Sequence, residues 1–135
     1  MAKTERVTYV RTTLKDKPGA LLKILRGLKA KDIGLSGLWA FVSARGKAHL
    51  YVVAKNPRKL RAVWNAAGVR AEGGIDFYVT GADRTGVLIQ PLEALAKAGI
   101  NILAIHAIAV GGKFGSYIWV DPADVRKAAK ALGLK

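Results

Sequence analysis

Two stretches of the chain place an acid three residues ahead of a glycine and then run into leucine-spaced segments. They are DKPGALLKIL at residues 16–25 and DRTGVLIQPL at residues 83–92. Asp16 answers Asp83, Gly19 answers Gly86, Leu21 answers Leu88 and Leu25 answers Leu92. Leucines on one helical face behind such a start argue for a helix opening there. The first N–H groups of a helix have no intrahelical partner and lie at the positive end of its dipole, so they suit a carboxylate. Glycine lets a ligand approach the backbone closely. A purely structural role is also open: Asp16 and Asp83 as helix caps, Gly19 and Gly86 as turn residues.

Catalytic chemistry finds little support. Asp16, Asp83, Asp121 and Asp124 fall at or beside helix starts, and Glu5, Asp32, Glu72, Asp76 and Glu93 are scattered without paired-carboxylate spacing. His49 and His106 are single histidines within strand-like runs, and there is no cysteine. No nucleophile-elbow, metalloprotease or phosphate-loop pattern occurs. GGKFGS (111–116) precedes a strand and reads as a hairpin. The expectation is a chain that is not an enzyme, with no catalytic residues, no metal site and no cofactor.

Length and composition fit one domain or two small ones: 135 residues, 51% hydrophobic and 24% charged. That is enough apolar material for a core. No apolar run reaches the roughly 20 residues of a membrane span, and MAKTERVTYV has no signal-peptide core, so a cytoplasmic location is expected. One glutamine, three asparagines and one methionine hint at a heat-adapted source. The net charge of +14 is uneven. Residues 1–70 hold 16 of the 23 Lys and Arg against three acids, and residues 71–135 hold seven against six. The first half should therefore face something anionic: an acidic protein, nucleic acid, or solvent.

The repeat runs through the whole chain. AKDIGLSGLWAFVSARGK (30–47) parallels AGINILAIHAIAVGGK (98–113), and NPRKLRAVWNAAGVR (56–70) parallels DPADVRKAAKALGLK (121–135). Each copy reads as a strand (6–14; 76–80), a helix, two strands (33–44 and 47–55; 100–110 and 114–120) and a second helix capped by Asn56-Pro57 or Asp121-Pro122. A short strand near VRAE (69–72) closes the first copy, and the second stops before an equivalent. The expectation is α+β: two tandem ferredoxin-like βαββαβ units, residues 1–73 and 74–135, sharing a continuous antiparallel sheet with helices on one face.

An acid, then x-[P/T]-G-[A/V]-L, then GIN opening a later strand resembles the ACT domain. The resemblance spans about residues 6–135 as two tandem domains. It implies a regulatory sensor of a small molecule, usually an amino acid, acting through a partner enzyme or regulator. It also implies a ligand held where two domains pair edge to edge, between one domain's strand–helix loop and the other's second-strand start. The ligand-binding residues carried over are Asp16, Lys17, Pro18, Gly19, Ala20 and Leu21, then Asp83, Arg84, Thr85, Gly86, Val87 and Leu88, with Asn101 at the strand start. An acid there can take a ligand's ammonium, and Asn101 offers both donor and acceptor. The chain departs from the pattern at Gly34, which stands where copy two has asparagine, and at Thr85, which stands for proline. Leu14 and Gly81 occupy a position where the family often has histidine.

The competing reading is RNA or DNA binding on the same βαββαβ order, with FYVTGA (77–82) and KFGSYIWV (113–120) as loose echoes of RNA-recognition strands. Assembly is expected on either reading. Trp39, Phe41, Tyr51, His106 and Trp119 suggest a helix-free face too apolar for water, and the strand at 76–80 lacks a closing neighbour. A homodimer or larger oligomer follows.

Overall fold

The computed structural model describes residues 2–134. It is α+β, with six strands, four α-helices and one short 3-10 turn. In order these are β1 (Lys3–Lys15), α1 (Ala20–Ala30), β2 (Leu35–Ala44), β3 (Lys47–Ala54), α2 (Pro57–Ala66), β4 (Glu72–Ala82), α3 (Ile89–Lys97), β5 (Ile102–Val110), β6 (Lys113–Val120) and α4 (Val125–Ala131). The chain divides into two compact units, residues 8–74 and residues 75–134 together with 2–7.

In the first unit the strand order is β2-β3-β1, antiparallel, with Val10 opposite Val52 and Leu38 opposite Val52. Strand residues alternate faces. Val10, Leu50 and Val52 therefore share one face, and they are buried there with Leu28 of α1 and Leu60 and Trp64 of α2. Each fully buried aliphatic such as Leu50 or Leu60 contributes about 1.5–3 kcal/mol. α2 begins as its sequence requires: Asn56 Oδ1 accepts from the Lys59 N–H at 3.1 Å, with Pro57 at the first position.

The second unit repeats the plan. β4, β6 and β5 lie in that order, with Phe77 opposite Ile118 and Ile105 opposite Ile118. Phe77, Val79, Ile118 and Val120 pack with Leu95 of α3 and Ala128 and Ala129 of α4. The two copies agree in backbone detail. Ile33 N–H donates to Leu28 O at 3.0 Å and Ile100 N–H to Leu95 O at 3.0 Å; Val69 N–H donates to Trp64 O and Leu134 N–H to Ala129 O, both at 2.8 Å. The second strands also break register at matching places, between Leu35 and Gly37 and between Ile102 and Ala104.

Two expectations change here. No separate closing strand forms at 69–72: residues 69–71 lie outside any strand, and Glu72 opens β4, which runs on through 76–80. Gly73-Gly74 looks like a turn but is a close approach. A Cβ on Gly74 would collide with the Tyr9 ring, and one on Gly73 would crowd the Arg61 guanidinium. The start of β1, through Val7, groups with the 75–134 unit.

The helix-free face is also less bare than expected. Trp39 is buried, stacked on Tyr51 at 5.6 Å, and Trp119 is buried edge-on to His106 at 5.6 Å. Cross-strand aromatic neighbours thus cover these two indoles. Exposed apolar surface remains at Phe41 on β2 and along β5, where Leu103, Ile105, Ile108 and Val110 all reach water.

Gly74→Ala is expected to lower stability by about 1–3 kcal/mol, because a methyl group is driven into the Tyr9 ring. Urea unfolding of the single variant and of Gly74→Ala/Tyr9→Ala reads this directly. The double variant should lose less than the two single losses combined. An unchanged midpoint for Gly74→Ala would remove the close-approach account of β4.

Candidate functional site

The two acid–glycine loops have the same backbone. After β1, Asp16 N–H donates to Gly46 O at 3.2 Å; after β4, Asp83 N–H donates to Gly112 O at 3.0 Å. A turn then closes from Ala20 N–H to Lys17 O at 3.3 Å, and from Val87 N–H to Arg84 O at 3.2 Å. Gly19 has φ 86° and Gly86 has φ 77°, the left-handed region that L side chains avoid. Each loop is thus pinned to its own hairpin and turned into its helix by glycine.

Asp16, Lys17, Pro18 and Gly19 are exposed, while Ala20 and Leu21 are half-buried, Leu21 against the core. Asp83, Arg84, Thr85 and Gly86 are exposed, and Val87 and Leu88 half-buried. Neither Asp16 nor Asp83 is a helix cap. The capping positions are Gly19 and Leu88, and neither gives the helix a side-chain bond. The acids lie too early, at the residue tied back to the hairpin. Among the described residues neither carboxylate caps a helix N–H.

The helix starts differ in one respect. Val87 and Leu88 answer Ala20 and Leu21, yet they lie in a turn and α3 begins at Ile89. Pro91 explains the delay. It has no N–H, so it fits within a helix's first turn and nowhere later. A start at Val87 would place it fifth. In α1, Leu21 and Leu22 present N–H groups without intrahelical partners; in α3, Pro91 removes one of the equivalents.

Asn101 is exposed just before β5. It does not meet the loop of its own unit. Ala82, beside Asp83, pairs with Lys113, as does Val110 at the far end of β5, whereas Ile102 pairs with Val120. The length of β5, roughly 30 Å at about 3.3 Å per residue, separates Asn101 from that loop.

No protein-family model matches the sequence, and no curated protein matches it. Solved structures do match. The protein BT0572 from Bacteroides thetaiotaomicron superposes with TM-score 0.82 at 18% identity, over 96% of this chain and 88% of that one. The ligand-free regulatory subunit of aspartate kinase from Thermus thermophilus gives 0.62 at 16% identity, over 98% and 94%. The same subunit from Thermus flavus gives 0.55 at 18% identity, over 98% and 94%. The chain has the ACT-domain fold. At these identities the likeness speaks for the fold.

One residue of this ACT-like fold stands out beyond the loops. Asp76 on β4 is buried, and among the described residues neither carboxylate oxygen has a hydrogen-bond partner. It faces away from Phe77 and Val79, on the helix-free side, near Tyr117, which stacks on Tyr78 at 4.8 Å. Loss of solvent pushes the Asp76 carboxyl up from 3.8 to about 8. Burial, with the charges of Tyr78, Asp76 and Glu5, pushes Tyr117 up to about 12. The sequence carried a signal for this: Asp76 interrupts an apolar strand at the position that answers Tyr9 in the first copy.

An acid that titrates near 8 when folded and near 4 when unfolded makes the unfolded chain release its proton first. Stability should therefore fall as pH rises from about 4 to about 8, and level off above. Asp76→Asn keeps the shape without the charge. It should flatten that slope and gain on the order of a few kcal/mol at about pH 9, with little change below about pH 4. Denaturant midpoints for both proteins across this range test it; parallel profiles would exclude the effect.

Proposed function

We propose that this chain is a non-enzymatic regulatory module that binds a small metabolite of the amino-acid class and acts through a partner enzyme or regulator. The observation that carries the reading is the pair of loops with matching backbone bonds. Each offers an exposed carboxylate not used as a cap, a left-handed glycine, and helix-start N–H groups beside it. A carboxylate and an ammonium on one small molecule match that donor and acceptor set. The fold supports the reading by analogy, since two solved structures that share it are named regulatory subunits of aspartate kinase.

The site comprises Asp16–Leu21 and Asp83–Leu88. The α1 loop is the stronger of the two, because Pro91 costs the α3 loop a donor. Asn101 serves a loop other than that of its own unit, contributed by another domain copy. A homo-oligomer supplies such copies, and the exposed apolar residues of β5 suit a buried edge. The nucleic-acid alternative loses its stacking platform. Phe77 is fully buried, Phe114 packs on the core, and Tyr117 is engaged by Tyr78.

Thermal unfolding with each amino acid in turn is the test. A ligand at a hundred times its Kd stabilises by about 2.7 kcal/mol, a shift of several degrees for a chain of this size. Asp16→Asn and Asp83→Asn should melt within about 0.5 kcal/mol of the parent, since neither side chain caps a helix. They should nonetheless lose most of the ligand-induced shift. No shift with any amino acid, or a shift untouched by both substitutions, would reject the assignment.

A further inference from the structure

A groove of about 600 Å³ lies between α1 and α2. Leu28 and Trp64 form its floor, both buried, and Ile24, Val63 and Val69 its half-buried sides. Lys23 and Lys31 stand on its α1 rim, both exposed. Between them, one helical turn from each, is Gly27. Residues four apart on a helix share a face, so Lys23, Gly27 and Lys31 form a line with about 12 Å from end to end.

Gly27 has no reason within the chain. A glycine inside a helix costs about 1 kcal/mol relative to alanine. A Cβ at Gly27 would meet nothing within 4 Å, and its φ is not in the left-handed region. Nothing the chain packs there requires the missing side chain. The second unit serves as an internal control. The bond from Lys31 N–H to Gly27 O matches that from Ala98 N–H to Ala94 O, so Ala94 answers Gly27 and Ala98 answers Lys31. Gln90 answers Lys23. Across the groove, exposed Ala67 is answered by Leu132, which packs against the core. One copy fills this place and bears no cation there; the other leaves it open between two lysines.

We propose that the α1–α2 groove docks an acidic amphipathic helix of a partner protein, with an apolar side chain seated over Gly27 and carboxylates meeting Lys23 and Lys31. The proposal rests on the regulatory reading above and names the chemistry of its output surface. Charge complementarity selects this occupant. Residues 8–74 carry 14 Lys and Arg against Asp16, Asp32 and Glu72, and Arg26, Lys29, Arg58 and Lys59 on the same two helices are exposed. Such a field draws in an acidic partner and repels a basic one. The apolar floor selects a helix over a nucleic acid. Buried Trp64 offers no ring face for a base, whereas an apolar trough between helices takes residues at i, i+3, i+4 and i+7.

The test uses the full chain without effector, so its failure and the failure of metabolite binding are separate results. Three labelled probes are titrated by fluorescence anisotropy: a synthetic amphipathic helix with leucines at that spacing flanked by glutamates, the same leucines flanked by lysines, and a single-stranded oligonucleotide. The glutamate peptide should bind best, and added salt should weaken it. Gly27→Leu fills the trough and should weaken that peptide about tenfold or more while melting no lower than the parent. Lys23→Glu/Lys31→Glu should shift preference towards the lysine peptide. Equal binding of the two peptides, or full affinity after Gly27→Leu, would overturn the proposal. So would an oligonucleotide that outcompetes the glutamate peptide and is indifferent to Gly27→Leu, which would make the face a nucleic-acid surface.

Discussion

The Tyr9 ring lies where a side chain on Gly74 would have to be, so only glycine fits there as β4 runs from Glu72 to Ala82. Break the strand there and its first residues lose their place beside β1. Thr12 Oγ1 would lose the Arg70 carbonyl it bonds at 2.7 Å, and Arg11 would lose Glu72. Tyr9 is itself fixed, its ring 5.4 Å from that of Tyr51. β1 and β4 each give part of their length to either unit.

The same economy governs the loops. Asp16 and Asp83 occupy the residue that bonds back to the hairpin glycine, so geometry removes them from the capping position before their chemistry is considered. What is left is a pinned backbone with an unspent carboxylate beside free N–H groups. Pro91 then separates the copies. By forcing α3 to start at Ile89 it turns Val87 and Leu88 into turn residues and removes a donor. Two loops with matching backbone bonds thus differ in the N–H groups at their helix starts through a single residue a full turn away.

Much of this could be read in advance because it rests on local signals. The leucine spacing of α1 and α3, the Asn56-Pro57 start, the hairpins at Gly46 and Gly112 and the repeat itself are all encoded within a few residues of where they act. What was misread depends on residues distant in sequence. Gly73-Gly74 has the composition of a turn, and only Tyr9, 65 residues upstream of Gly74, shows that it is a close approach. Trp39 and Trp119 alternate with other apolar residues, and nothing local reveals that Tyr51 and His106 cover them. The acids looked like caps because the residue types are right; their exact place relative to the first helical turn is a matter of backbone register, which composition does not carry.

The two units build similar cores, and their surfaces differ. The cores answer each other at several positions: Val10 and Phe77, Leu28 and Leu95, Val52 and Ile118. Packing tolerates little change at such sites. Off the core the copies part. The first carries nearly all the surplus charge and an open trough at Gly27, while the second fills that place and instead buries a carboxylate at Asp76. Glycine within α1 and an unpartnered acid within β4 each cost stability, and neither is needed to form the fold, since the other copy does without it. Each feature costs stability and appears in only one copy of an otherwise matched pair, on the helical face of the first unit and on the helix-free face of the second.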